Sequence, residues 1–474
     1  MPRLYYQMKN RPVVFFSLIA VTIACLVVLI VEFDRRHSLY WYDVGSDYSY
    51  TFDSADVTAV PVRITGEGIR IPSLPGNWDT VVILMRLEAT LTGAWFEPTL
   101  EVIAGDRYWR QTLERSANGL RYITLDADMV RSTQFLELSG HHVRWDAQDG
   151  ELFLFSAAPP TDKTFLVLAP HPDDAEIAAF GLYSNRNSYV VTVSAGDYVD
   201  GLYAHLSPEP TDQDLLRGRA RVWDSLVVPT WGGVSPDRVV NLGYRNGSLR
   251  DLYNKRANEH PTNGASELDP SLLRAGAVET LVGGRDGEGR WQSIVTDLAE
   301  IVAAVNPDVI VTPHPALDAA PDHQYTTVAL LEALNRLDDR RTTLLVYTNH
   351  HVLSEYYPFG PSDTAVTLPP WFDSTLVLGA VYSHPITDRD RLDKLFALEA
   401  MHDLRAPPRP LHGGPTGRFL TLLSAAFEGL ARNPLGTYSY MRRAVRKNEV
   451  FFVVEPDDRD RLQLGDTSSS AYAK

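Results

Sequence analysis

The sequence predicts a two-part protein, an all-β unit followed by an α/β unit with a doubly wound parallel sheet, and three observations lead there. Between residues 39 and 155 short β-like runs (60–64, 80–85, 99–103, 120–125 and 151–155) recur between turn residues, with no long helical period. That spacing fits a β-sandwich or jelly roll. From residue 164 onward apolar strands at 164–169, 189–194, 239–244, 309–312 and 344–348 alternate with helical patterns at 215–226, 291–305 and 326–336. Alternation of this kind implies parallel strands with helices on both faces of the sheet, a Rossmann-like arrangement. Third, Val13 to Val31 are 19 residues without a charge. A helix of that length spans about 30 Å and reads as a transmembrane anchor rather than a cleaved signal.

These readings divide the 474 residues into a tail and anchor (1–37), a β-sandwich (38–158), an α/β unit (163–455) and a flexible tail (456–474). Basic residues Arg3, Lys9 and Arg11 precede the apolar run, which places the N-terminus in the cytoplasm and the rest periplasmic or extracellular. A formal charge of −16 excludes a general nucleic-acid surface. The single cysteine, Cys25, excludes an intrachain disulfide and a cysteine metal site, so any metal must be held by His and carboxylates. Within the first unit Trp78, Trp95, Tyr108 and Trp109 are either core rings or sugar-contacting aromatics.

The chemistry concentrates at two strand ends. Residues 166–177 read Leu-Val-Leu-Ala-Pro-His-Pro-Asp-Asp-Ala-Glu-Ile, an apolar strand running into His171, Asp173, Asp174 and a helical pattern. A second strand at 309–312 leads through His314 to Pro321-Asp322-His323. In a doubly wound sheet ligands sit beyond the carboxyl ends of the strands where strand order reverses. Two imidazoles and a carboxylate converging there suit zinc with a position left open, and iron(II) accepts the same donors. Two long polar stretches, 197–214 and 245–290, are expected to wall a substrate groove.

The P-H-P-D-D-x-E and P-D-H motifs, with Asn241-Leu-Gly-Tyr-Arg-Asn-Gly-Ser-Leu249 and Lys394-Leu-Phe-Ala-Leu-Glu-Ala-Met-His402, resemble the PIG-L (LmbE-like) family of zinc-dependent N-acetyl-sugar deacetylases over roughly residues 163–455. The resemblance implies His171, Asp174 and His323 as metal ligands and Asp173 as general base. Asp322 would orient an imidazole, and Glu176 reads as structural with a supporting role at the site. Arg219, Tyr244, Asn246 and His402 are weaker expectations for substrate contact. Many relatives carry a histidine where this chain has Ala320, which leaves the acid half of the reaction without its usual residue. The expected function is a membrane-anchored deacetylase of an N-acetylated amino sugar in a surface or secreted glycan. The alternatives are a glycan-binding protein with a retained metal site, or an amidase for a non-sugar amide.

Overall fold

The computed structural model describes residues 16–17, 19–26, 39–53, 55–198, 203–256, 269–283, 288–373, 377–402 and 440–464. The first unit is a nine-stranded antiparallel sheet: β1 (Val57–Ile64), β2 (Gly68–Arg70), β3 (Thr80–Ala89), β4 (Thr99–Ala104), β5 (Arg107–Thr112), β6 (Asn118–Leu125), β7 (Phe135–His141), β8 (Val143–Arg144) and β9 (Gln148–Phe155). Its order is β5-β4-β7-β2-β1-β9-β3-β6, with β8 added beside β3. The expected pair of stacked sheets is instead one sheet rolled on itself. Its two edges meet where Trp109 Nε1 and Gln111 Nε2 on β5 donate to the carbonyl of Thr124 on β6, at 3.0 and 2.7 Å. Rolling lets alternate residues of every long strand share one interior, where Ile64, Ile69, Ile83, Leu100, Leu136 and Leu152 are fully buried. Trp78 and Trp109 lie in that interior, whereas Trp95 and Tyr108 are exposed.

The second unit holds an eight-stranded sheet: β10 (Thr164–Ala169), β11 (Asn187–Ser194), β12 (Val239–Tyr244), β13 (Ala275–Gly276), β14 (Val309–Pro313), β15 (Thr343–Tyr347), β16 (Ala380–Pro385) and β17 (Asn448–Val454). The order is β13-β12-β11-β10-β14-β15-β17-β16. Strands β12, β11, β10, β14 and β15 are parallel, while β13, β17 and β16 add antiparallel margins. Burial on both faces explains the unbroken apolar runs: every residue of β12 and β14 is buried. The helices that matter for the site are α1 (Asp174–Tyr183), α2 (Pro210–Val227), α3 (Leu249–Asn254), α4 (Trp291–Val305), α5 (Pro321–Arg336) and α6 (Asp388–Ala400). Strand order reverses between β10 and β14, so the ends of these two strands form the crevice to which His171 and His323 belong.

The two units share a core. Tyr48, Tyr50, Tyr122 and Phe155 pack into the same apolar cluster as the α/β sheet. The rings of Tyr50 and Phe452 lie 6.2 Å apart. A strap after β15 is stitched to the rolled sheet: Thr124 Oγ1 donates to Val366 O at 2.7 Å, and Tyr356 OH to Glu97 Oε1 at 2.8 Å. The strap therefore belongs to both units, which matters because it also carries site residues.

The transmembrane anchor is corrected: no helix among the described residues is long and apolar enough to cross a membrane. Within the expected span the described helical residues are 16–17 and 19–26. At 1.5 Å per residue these reach about half of a ~30 Å hydrocarbon core. The rest of the span lies outside the described residues. With the anchor go the single-pass topology, the membrane as partner, and the assignment of the two sides. The start of the expected flexible tail is packed: Arg459 Nη2 donates to Asp339 Oδ1 at 2.8 Å. Residues 465–474 lie outside the described set.

Candidate metal centre

Strand β10 ends at Ala169, and Pro170-His171-Pro172 carries the chain over the sheet edge into α1. Asp174 is the first residue of α1, and its Oδ2 accepts the backbone N–H of His171 at 2.8 Å, which folds the turn so that both side chains face one point. Strand β14 ends at Pro313, and Pro321, favoured at a helix start, opens α5 with His323 in its first turn. Topology brings the two turns together. His171 Nδ1, Asp174 Oδ2 and His323 Nε2 form a triangle with edges of 3.2, 3.1 and 3.2 Å.

This triangle fits a metal ion. Two donors at about 2.0–2.1 Å from a tetrahedral zinc stand about 3.3 Å apart. The donor set, two imidazoles and one carboxylate, leaves one tetrahedral position open. Charge points the same way, because Asp174, Asp318 and Asp322 surround the two rings. Burial opposes protonation of His171, yet its hydrogen bonds to Asp174 and Asp322 raise its pKa to about 9. His323 is likewise pushed well up, against burial, by the Asp174 and Asp318 carboxylates. A site that favours positive charge in this way, with these three donors, is one that a divalent cation can occupy.

Each imidazole is held from behind. Asp322 Oδ2 takes His171 Nε2 at 3.2 Å and the N–H of Gly247 at 2.6 Å, while Oδ1 takes the N–H of Leu249 at 3.1 Å. Asp318 Oδ2 takes His323 Nδ1 at 3.1 Å and the N–H groups of Asn349 and His350 at 2.8 and 3.2 Å. Asn349 Nδ2 donates to Asp174 Oδ1 at 2.8 Å. Carboxylates placed this way fix the tautomer and direction of a metal-facing imidazole. Asp322 thus serves His171 rather than its neighbour His323.

Asp173 stands at the N-terminus of α1 but does not cap it; its carboxylate pairs with Arg221 Nη2 at 3.0 Å, both side chains being nearly buried. Burial pushes its pKa up and Arg221 pulls it down, with a net rise. Arg221, not Arg219, is the arginine of α2 that reaches the site; Arg219 is exposed. Glu176 is buried against Tyr183 OH at 2.9 Å, and burial raises its carboxyl to about 8. Tyr244 is turned into the core, where its OH donates to Asp297 Oδ2 at 2.6 Å. Asn246 ties loops together, its N–H to Asp197 Oδ1 at 2.7 Å and its Nδ2 to Tyr198 O at 3.0 Å. His402 pairs with Asp224 Oδ1 at 2.6 Å, and its side chain is 55% exposed.

Sequence reasoning gave no role to Asp318 or Asn349, and preferred Arg219 to its neighbour Arg221. Asp318 had a signal, since it stands in the same motif as His323. Asn349 had none, because the strap that carries it is placed only by tertiary packing.

Residues 166–334 match the family model described as PIG-L: GlcNAc-PI de-N-acetylase. The matched segment runs from β10 into α5 and contains His171, Asp173, Asp174, Asp322 and His323. Members of that family are typically hydrolytic deacetylases and often metal-dependent. No curated protein sequence matches this chain. Among solved structures, the 4-carboxy-2-hydroxymuconate hydratase of Pseudomonas putida KT2440 is similar at 13% identity, covering 61% of this chain and 95% of its own, with a TM-score of 0.26. A family two carbohydrate esterase from Cellvibrio japonicus is similar at 12% identity over 66% of this chain and 88% of its own, with a TM-score of 0.17. Superpositions at this level carry no argument about fold or function.

Proposed function

We propose that this protein is a zinc-dependent N-deacetylase that hydrolyses the acetamido group of an N-acetylated amino sugar, alone or within a glycan. The observation that carries the proposal is the His171, Asp174, His323 triangle with a further carboxylate, Asp173, beside it. A purely structural metal site has no use for that extra base. Iron(II) suits the same donors, and zinc is the ion named here.

His171, Asp174 and His323 would hold the ion, which when bound polarises an amide carbonyl and lowers the pKa of water to about 7. Asp173 takes the proton of the attacking water, and Arg221 opposes the rise that burial gives its pKa and aims the carboxylate. Asp322 and Asp318 hold the imidazole Nε2–H and Nδ1–H that point away from the centre, leaving the inner nitrogens as lone-pair donors. The proton on Asp173 is then available to the departing amine, so that one carboxyl serves as base and then as acid. Near-complete burial of Asp174 and His323 excludes water from all but the His171 side of the triangle.

The test is release of acetate and free amine from N-acetylglucosamine and its oligomers by the zinc-loaded protein. Asp173→Asn is expected to abolish turnover with metal still bound, and His171→Ala to lose both. Full activity in either variant refutes the assignment, and hydrolysis confined to non-sugar amides refutes the substrate class.

A further inference from the structure

Helix α1, which has Asp173 at its N-terminus and Asp174 as its first residue, is interrupted. Ala179 has φ −142° and ψ 17°, outside the helical range, so the turn that holds the site residues meets the rest of the helix at a kink. In an unbroken helix the N–H of Gly181 would bond the carbonyl of Ile177, and that of Leu182 the carbonyl of Ala178. Here both N–H groups turn to another element: Gly181 donates to Glu449 Oε1 and Leu182 to Glu449 Oε2, each at 2.9 Å. The carbonyl of Ile177 takes Lys394 Nζ at 2.8 Å, and the same Nζ donates to Glu449 Oε1 at 2.8 Å. A helix hydrogen bond is opened and an ion pair fills the gap, running from the Ile177 carbonyl through Lys394 and Glu449 to the Gly181 N–H. A side chain inserted into the ladder in this way bends a helix.

Stability gives no reason for the pair. The side chains of Lys394 and Glu449 are 0% and 3% exposed, and two charges buried so deeply stabilise a fold no more than an apolar pair of the same size. A straight helix would satisfy the same backbone groups with neither charge. Geometry does give a reason. With the bond open, the first turn of α1 takes its direction from α6, which carries Lys394, and β17, which carries Glu449. That turn presents Asp174 to His171 and His323. A cavity of about 60 Å³, lined in part by Ile177, Ala178, Lys394, Glu449 and Asn349, lies beside the splice and gives the turn room to swing once the pair is gone. We propose that Lys394 and Glu449 are positioning residues of the metal centre, an ion pair spliced into α1 that aims its first turn at the two histidines. The inference rests on the metal site of the deacetylase reading above and not on the substrate named there.

The experiment uses the full chain, with zinc alone and cobalt(II) alone as probes. Lys394→Met combined with Glu449→Leu removes both charges at similar size and frees the Gly181 N–H to return to Ile177. This double variant is expected to keep the urea midpoint of the metal-free parent, to bind zinc about tenfold more weakly, and to show an altered visible spectrum with cobalt(II), which reports donor geometry. Lys394→Gln, which keeps a donor for the Ile177 carbonyl, is expected to recover part of the affinity. A folded double variant with a zinc Kd within twofold of the parent and the parent's cobalt spectrum overturns the inference. The parent protein supplies a second readout with no substitution, because coupling between site and splice is reciprocal. Zinc is expected to slow amide exchange at Gly181 and Leu182 about tenfold more than at Val346 in β15, and equal slowing overturns the inference. A parent that binds neither ion takes down the metal-dependent reading and this inference together. A zinc-loaded parent that releases no acetate sinks the deacetylase reading alone, since the metal and exchange readouts decide this inference without turnover.

Discussion

Replacing Asp322 by Asn isolates what a carboxylate behind a metal-facing histidine contributes. Three donors converge on it: His171 Nε2 at 3.2 Å, Gly247 N–H at 2.6 Å and Leu249 N–H at 3.1 Å. An amide of the same shape has one acceptor oxygen, so in either orientation its NH2 faces at least one of these donors. One buried donor left unmet costs about 1–3 kcal/mol of folding stability. Removing the charge behind His171 weakens metal affinity by about 10–100-fold, or about 1.4–2.7 kcal/mol. At free zinc 100 times the wild-type Kd the metal stabilises the fold by about 2.7 kcal/mol, and a site weakened about 30-fold retains about 0.9 kcal/mol at the same concentration. Competition against a chromogenic chelator gives the first quantity, and urea unfolding with and without zinc gives the second. A Kd within threefold of wild type, with an unchanged urea midpoint, refutes the placement of Asp322 behind His171.

Arg221→Gln should leave zinc bound but move the acid limb of kcat/KM to higher pH, because the cation that holds down the Asp173 pKa is gone and the carboxylate needed as base forms only at higher pH; an unmoved limb excludes the pair from the reaction. His314 is buried with Nδ1 accepting the N–H of Ala316, and burial pushes its pKa down to about 4. The unfolded chain takes up this proton below about pH 6.5 while the native chain does not, so stability is lost as pH falls between those values. His314→Asn keeps the acceptor and should spare about 2 kcal/mol of the loss between pH 8 and pH 5, read from urea curves of the zinc-loaded proteins. Gly360 has φ of +86°, and a Cβ there would lie 2.2 Å from Thr112 Oγ1 in the rolled sheet. Gly360→Ala should cost about 2–5 kcal/mol from the left-handed backbone and the overpacking together; a midpoint equal to wild type would show that the strap is not packed there.

Much of the α/β unit could be read locally. Strand β10 and helix α4 span the residues that apolar runs and helical period indicate, Thr164–Ala169 and Trp291–Val305. The reason is that buried parallel strands need unbroken β-branched and apolar residues, while a helix against them needs a 3.6-residue stripe. Strands β5 and β7 were not read from the sequence: Arg107–Thr112 and Phe135–His141 carry polar and charged residues outward, which weakens the apolar signal of an edge or one-sided strand. The rolling of the sheet was equally silent, since it depends on side chains such as Gln111 bonding across edges. The membrane span expected over 13–31 is not met, since no helix among the described residues is long and apolar enough to cross a membrane.

By itself the sequence marked His171, Asp173, Asp174 and His323 as the candidate site, because they stand in short motifs at strand ends and their spacing is a local property. Tertiary structure alone decided which groups serve them. Arg221 rather than Arg219 meets Asp173, because the face of α2 turned inward is set by packing. Asp322 reaches across to His171, because β10 and β14 are neighbours in the sheet and place two distant turns against each other, whereas Asp318 takes His323 from within the same turn. Asn349 and His350 arrive on a strap pinned by the rolled sheet. Hydrogen-bond partners are chosen by distance in space, and residues more than a hundred positions apart in the chain carry no local signature of that distance.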